Sequence, residues 1–332
     1  MIDKPKIALV GCGYWGKNLC RNFHDLDALN SVVDDTENGQ ATARSIAPEV
    51  QVTDSFDNVL QDDQIQGVAL ATPAETHAEL AIQAIQAGKD GFVEKPMALN
   101  MNDAGEMKRV NQETQQILMV GHLLEYHPAV LKLREMIASG ELGKINYIYS
   151  NRLNFGKVRT EENALWSFAP HDVAVILRLM GQSPVGVSAT GGSYLTNGIA
   201  DTTLSNLSFD NESRAHIFVS WLHPFKEQRL VVVGDKKMAI FNDVASYGEK
   251  LILYPQAVEF DGSIPLLKKE DAEFVEHADT EPLREECGHF LECIQSRNQP
   301  LTDAHSGIDV LKVLHACQQS IEQNGVPVSL SN

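Results

Sequence analysis

Through the first third of the chain, short apolar runs alternate with longer segments whose apolar residues recur every three to four positions. The runs KIALVG, GVALAT, GFVEKP and ILMVGH read as strands, and the segments WGKNLCRNF, ETHAELAIQAIQAG and NDAGEMKRVNQET between them as helices. Such alternation implies right-handed crossovers and a doubly wound parallel sheet covered on both faces, assigned to residues 1–122. Beyond HPAVLKLREMIASGELG, a helical pattern closed by Gly140 and Gly143, the texture changes. In RAHIFVSWL the residues Ala215, Ile217, Val219 and Trp221 share one face, and DNES and GDKK read as hairpin turns. Residues 123–332 are therefore predicted to form an α/β domain on a large, mostly antiparallel sheet, with helices returning in REECGHFLECIQS and GIDVLKVLHACQQSIEQ. The last of these stops near Asn324 and Gly325.

Composition narrows the class. A chain of 332 residues with 43% apolar and 22% charged residues fits two folded domains and no disordered or fibrous class. The 45 acidic against 27 basic residues give a formal charge of −18, which repels nucleic acid and anionic membrane surfaces. An anionic ligand must then be held locally, by helix N-termini and a few placed Lys or Arg. The first apolar run is too short to span a bilayer and has no signal-peptide cleavage pattern, so a cytoplasmic location is expected. Five cysteines without a CxxC pair read as reduced thiols. His289 and Cys293 stand one helical turn apart, but Cys287, Phe290, Leu291 and Ile294 follow the spacing of a buried face, and no metal is expected.

GCGYWG places Gly11, Gly13 and Gly16 after a strand-like run and at the start of a helical one. In a dinucleotide fold the first glycine allows the tight turn, the second admits the pyrophosphate, and the third lets helix and strand approach. The next apolar run ends at Asp34, 23 residues on from Gly11, which suits a carboxylate on the adenosine ribose. Asp35 follows, as a competing cap for the next helix, and no arginine is near to receive a 2′-phosphate, so the cofactor is expected to be NAD. Tyr14 and Trp15 line the cofactor edge or pack under the loop.

Two further segments carry candidate chemistry. A residue before proline is pushed to extended geometry, which holds Lys95 at the carboxyl end of its strand, where open α/β sheets bind ligands. In LWSFAPHDV, Pro170 suits the first turn of a helix, so His171 and Asp172 are expected at its positive end. There His171 stays neutral and can accept a proton, while Asp172 complements the dipole. Oxidising an alcohol with NAD removes a hydride from carbon and a proton from oxygen; His171 suits the second task.

Together, GCGYWG, ATPAETHAELA, VEKP, GELGKI and His171 followed by Asp resemble the glucose-fructose oxidoreductase, inositol dehydrogenase and related (Gfo/Idh/MocA) family over nearly the whole chain. The resemblance implies an N-terminal Rossmann domain, a C-terminal domain whose open sheet supports homodimers or homotetramers, and a tightly held nicotinamide cofactor. It also implies that Thr72, Pro73, His77, Glu94 and Lys95 lie along the cofactor, with Lys95 and His171 beside the reacting hydroxyl. Two positions depart from the family's pattern: Ser167 stands where many members have an acid, and Glu125 where many have an arginine. The first places more of the proton transfer on His171 and Lys95; the second implies a substrate other than simple polyols. Two longer stretches, SNRLNFGKVRTEENALWSFAPHD and SWLHPFKEQRLVVVGDKKMAIFND, most resemble the nucleotide-sugar 3-dehydrogenases, those acting on UDP-N-acetylglucosamine in particular. That implies oxidation at C3 of a UDP-linked N-acetylhexosamine, a step toward cell-envelope sugars. Arg152, Arg159, Lys226 and Arg229 are the candidate cations for its diphosphate. An inositol or free-sugar dehydrogenase, an NAD-dependent glycosidase and a non-catalytic NAD-binding regulator are the alternatives.

Overall fold

Valine, isoleucine, leucine and alanine fill the first strands because both faces of a parallel sheet are covered by helices. The computed structural model describes residues 4–156, 158–255, 257–268 and 270–330. Along the chain come β1 (Ile7–Val10), α1 (Gly16–Asp25), β2 (Leu29–Val33), α2 (Glu37–Ile46), β3 (Gln51–Thr53) and α3 (Phe56–Gln61). They are followed by β4 (Gly67–Leu70), α4 (His77–Gln86), β5 (Asp90–Glu94), α5 (Met101–Thr114), β6 (Leu118–Gly121) and a 3-10 turn (Leu123–Tyr126). Next are α6 (Pro128–Ala138), β7 (Ile145–Leu153), α7 (Ala164–Met180), β8 (Gly186–Gly192), β9 (Thr202–Ser208), β10 (Arg214–Ser220), β11 (Glu227–Gly234) and β12 (Met238–Asn242). The chain continues through β13 (Leu251–Tyr254), the hairpin β14 (Ala257–Asp261) and β15 (Ile264–Lys268), β16 (Glu273–Phe274), α8 (Pro282–Ser296), α9 (Ala304–Glu322) and β17 (Val328–Ser329).

Two compact units result: residues 1–126 with 280–311, and residues 127–279 with 312–332. This departs from a single cut after residue 122, because α8 belongs to the first unit. Its Phe290 meets Phe23 and Phe92 edge to face, with centroids 6.4 and 5.7 Å away, and Cys287, Leu291 and Ile294 complete the same core. Burying a side chain of this size is worth about 1.5–3 kcal/mol, and nothing in the local pattern of α8 says which core receives it. The β6 edge is covered by the same stretch: Thr302 accepts the Val120 N–H at its carbonyl and donates its hydroxyl to the Val120 carbonyl at 2.6 Å.

In the first unit six strands run parallel in the order β3-β2-β1-β4-β5-β6, with β1, β4 and β5 fully buried. The chain reverses its direction of winding between β1 and β4, the crevice where such folds take a dinucleotide. In the second unit nine strands follow the order β16-β13-β12-β11-β7-β10-β9-β8-β17. There β7 and β10 pair in parallel, and the other described neighbours are antiparallel. Along β10, Ala215, Ile217 and Val219 are buried as the alternation predicts, while His216 on the other face stacks on Tyr149 of β7 at 5.2 Å. No described helix is long and apolar enough to cross a membrane.

Candidate active site

The turn after β1 needs its glycines for three separate reasons. Gly11 has φ of +88°, and a Cβ there would lie 2.8 Å from the Ala71 carbonyl oxygen. At Gly16, the first residue of α1, a Cβ would lie 2.0 Å from the Gly11 carbonyl oxygen. Gly13 is exposed and a Cβ there would meet nothing within 4 Å, so its bareness serves something outside the protein's own packing. No side chain caps α1, and in its first turn the Lys17 and Asn18 N–H groups bond to the Gly13 and Trp15 carbonyls at 3.2 and 2.9 Å. These features fit a pyrophosphate. Gly13→Ala is expected to keep the thermal midpoint unchanged while weakening NAD binding by about tenfold or more, read by calorimetric titration.

Tyr14 is 91% exposed with the Lys17 ammonium 5.6 Å from its ring centre, whereas Trp15 turns inward and donates its indole N–H to Glu94. Asp34 directly follows β2 and is 7% exposed. One carboxylate oxygen accepts the Cys12 N–H at 2.7 Å and the other accepts both N–H and O–H of Thr36 at 2.9 and 2.6 Å. Burial alone would raise its pKa, but the Thr36 and Cys12 hydrogen bonds outweigh it and hold the carboxyl below the usual value. The cap of α2 is Thr36, whose hydroxyl accepts the Gly39 N–H at 3.0 Å, and Asp35 plays no part in it; Asp34 holds Thr36 in place and takes the choice away from its neighbour. A depressed folded pKa means that Asp34 adds stability at neutral pH and loses it as pH falls through that value. The gap in thermal midpoint between wild type and Asp34→Asn should therefore close below about pH 4.

At the carboxyl ends of β4 and β5 the side chains interlock. His77, 1% exposed at the start of α4, faces the Pro96 carbonyl with Nδ1 at 2.8 Å and the Thr72 carbonyl with Nε2 at 3.0 Å. It ties the turn carrying Thr72 and exposed Pro73 to the Lys95–Pro96 step, whose peptide bond is cis, and burial lowers its pKa. Thr72 also shares a hydrogen bond with the Thr76 hydroxyl at 2.7 Å. Glu94 is held by Trp15 and by the Lys95 N–H at 3.2 Å. Burial pushes its carboxyl up to about 7, against the Trp15 hydrogen bond and the Lys95 charge, which hold it down. Lys95 follows directly, half-buried at the strand end.

Two residues of this region escape a reading of local pattern. Glu286 of α8 is 0% exposed, and among the described residues neither of its oxygens has a hydrogen-bond partner. Glu125 is 3% exposed. Glu286 stands one helical turn before Phe290, so a carboxyl on the apolar stripe was the signal available.

In the second unit, α7 departs from expectation. It begins at Ala164, capped by the Asn163 side chain accepting the Trp166 N–H at 3.3 Å, and Pro170 lies inside it. An interior proline costs about 3 kcal/mol, and the burial of Leu165, Ala169, Val173 and Ile176 along the helix offsets that cost. His171 and Asp172 are therefore mid-helix, and the first-turn dipole cannot account for either. Asp172 instead receives Arg152 of β7 at 2.7 and 3.2 Å and the Ser150 hydroxyl at 2.5 Å, pinning helix to sheet. His171 is half-buried one turn after Ser167. Of the four candidate cations, Arg152 is buried and committed to Asp172; Arg159 pairs with Glu162 at 3.1 Å, and Lys226 and Arg229 are exposed.

Residues 5–122 match the oxidoreductase family model with an NAD-binding Rossmann fold, and residues 130–240 match the GFO/IDH/MocA C-terminal domain. The chain belongs to the Gfo/Idh/MocA family. Among relatives, it is 30% identical to the 2,7-anhydro-N-acetylneuraminate hydratase of Mediterraneibacter gnavus over 74% of this chain and 68% of that one. It is 28% identical to the scyllo-inositol 2-dehydrogenase (NAD(+)) of Bacillus subtilis over 99% and 97%. With the UDP-N-acetylglucosamine 3-dehydrogenase of Acidithiobacillus ferrooxidans it shares 25% over 96% and 97%. A structure of that enzyme superposes with a TM-score of 0.84 at 25% identity, covering 97% of this chain and 99% of the other. This Gfo/Idh/MocA member is an NAD-dependent oxidoreductase acting on CH–OH groups. Gly11, Gly13 and Gly16 could hold its cofactor's pyrophosphate, and NAD would supply the hydride acceptor.

Proposed function

We propose that this protein oxidises the C3 hydroxyl of a UDP-linked N-acetylhexosamine, with Lys95 and His171 handling the hydroxyl proton. The observation that carries the substrate is the likeness to the Acidithiobacillus ferrooxidans 3-dehydrogenase, which extends across both units and 96% of the chain. The charge pattern supports it: in a chain of formal charge −18, Lys226 and Arg229 remain exposed on the second unit for a diphosphate once Arg152 is spent on Asp172 and Arg159 is paired with Glu162. Lys95, half-buried at the carboxyl end of β5, suits a hydroxyl that must lose a proton as the hydride departs. A ketone at C3 is a substrate for an aminotransferase, which fits a place in the synthesis of cell-envelope sugars. The open sheet face, where Tyr147 is 43% and Leu204 40% exposed, supports a homo-oligomer.

A second reading, inositol oxidation, is favoured by the 28% identity to the Bacillus subtilis enzyme over 99% of the chain. Incubation with NAD and a panel of UDP-sugars, inositols and free sugars separates the two, with NADH absorbance and product mass followed together. Loss of two hydrogens from UDP-N-acetylglucosamine with matching NADH is the expected result. Oxidation of inositol alone overturns the substrate, and hydrolysis without net NADH indicates a glycosidase.

A further inference from the structure

Both ring nitrogens of His77 face backbone carbonyls. Nδ1 lies 2.8 Å from the Pro96 oxygen and Nε2 lies 3.0 Å from the Thr72 oxygen, and the residue is 1% exposed. A carbonyl oxygen only accepts, whereas a neutral imidazole offers one N–H and one lone pair. The neutral ring therefore donates to one of these carbonyls and turns a lone pair on the other. An imidazolium donates to both, so the two distances suit a ring that carries a second proton.

What the ring joins gives that proton a consequence. Thr72 belongs to the turn after β4, which is closed on itself by the Thr72 and Thr76 hydroxyls at 2.7 Å and by the Thr76 hydroxyl donating to the Pro73 carbonyl at 2.9 Å. Pro96 directly follows Lys95, and Glu94 before it is tied through the Trp15 indole to the glycine turn. Lys95 is thus braced on both sides: toward the glycine turn by the residue before it, and toward the β4 turn by the residue after it. We infer that His77 is a positioning residue for Lys95, fixing the Lys95–Pro96 step against the turn after β4 by two hydrogen bonds when protonated and by one when neutral. The inference rests on Lys95 handling the hydroxyl proton, and adds that the place of Lys95 is set by a proton on a buried residue acting through the backbone.

The sign follows from the surroundings. Burial disfavours the cation and holds the His77 pKa below its ordinary value, against the Pro96 and Thr72 carbonyls and the Glu75 charge, which favour it. The charged groups on the surrounding elements are Glu75 in the 3-10 turn Ala74–Thr76, Glu79 on α4, Glu94 and Lys95 at the end of β5, and Asp103 in the first turn of α5; of these, Glu75 bears on the ring. At neutral pH the ring is neutral and one bond holds, and as pH falls below the ordinary histidine value the second bond forms. A misplacement of about 1 Å at a reacting centre costs on the order of 10²-fold in rate, so a step held at one point should pass its proton more slowly than one held at two.

The test compares the whole wild-type protein with His77→Asn and His77→Gln, whose amides do not titrate; the first can keep the Pro96 tie and the second the Thr72 tie. Turnover is followed by NADH absorbance with NAD and UDP-N-acetylglucosamine, or with scyllo-inositol if that is what the protein oxidises. The ratio of wild-type to variant kcat cancels the proton on Lys95 itself, and it should rise by about tenfold from pH 8 to pH 5. Over the same range the thermal midpoint of the wild type should fall relative to the variants, because a histidine whose folded pKa is lowered loses stability as pH drops. A purely structural role would move rate and midpoint together. A kcat ratio that is flat with pH, or one that follows the midpoint, overturns the inference. Should neither variant fold, ¹⁵N spectra of the ring-labelled wild type decide: a buried imidazole passing from one protonated nitrogen to two as pH falls to about 5 is expected, and one that keeps a single proton throughout overturns the inference. Near-wild-type turnover in Lys95→Ala would instead overturn the role of Lys95.

Discussion

Lys95→Ala is expected to lower turnover by about 10²–10⁴-fold, the range of a lost general acid–base group, while NAD affinity stays close to the wild-type value. His171→Ala should behave in the same way. Lys95 stands just after a carboxyl fixed on two sides, by Trp15 and by its own N–H, so removing its amine leaves the strand end in place. Lys95→Arg should not restore turnover, because a guanidinium keeps its proton at any working pH. Initial rates by NADH absorbance give kcat and KM, and calorimetry gives Kd for NAD. Parallel losses in turnover and in cofactor affinity would assign these residues to holding NAD and sink their role in proton transfer.

Asp172→Ala should be the most damaging change to stability, costing about 3–5 kcal/mol, because it strands the Arg152 guanidinium in a site only 9% exposed. At roughly 2–4 °C per kcal/mol for a protein of this size, the thermal midpoint falls by about 6–20 °C. The double change Arg152→Met with Asp172→Leu should lose less than Asp172→Ala alone, since replacing both ions by apolar groups leaves no uncompensated charge. A double variant as unstable as the single one would show that the helix-to-sheet tie, and not the desolvated charge, is what matters.

The glycine turn was readable from sequence because its demands are local. Gly11 needs a positive φ, Gly16 needs a missing Cβ, and Asp34 directly follows the next strand at a set distance, so three positions announce the turn without reference to the rest of the chain. The alternation along β10 was equally direct, each second residue being buried. Other features depend on partners distant in sequence. Pro170 carries the bias of any proline toward a first turn, and only the Asn163 cap seven residues earlier and the burial of the apolar run between them overrule it. Arg152 looks like any cation until Asp172, 20 residues on, is brought against it. Glu286 hides inside a helix, among the apolar residues of its buried stripe.

The membership of α8 in the first unit bears on how the protein is made. A ribosome releases residues 1–126 long before residues 280–311, and until the later segment emerges Phe23 and Phe92 lack the ring of Phe290 that completes their edge-to-face trio. The nascent dinucleotide half therefore waits with an open apolar groove while more than 150 residues of the second unit are synthesised. A chain that stops translating early leaves that groove for a chaperone or for another nascent copy to find.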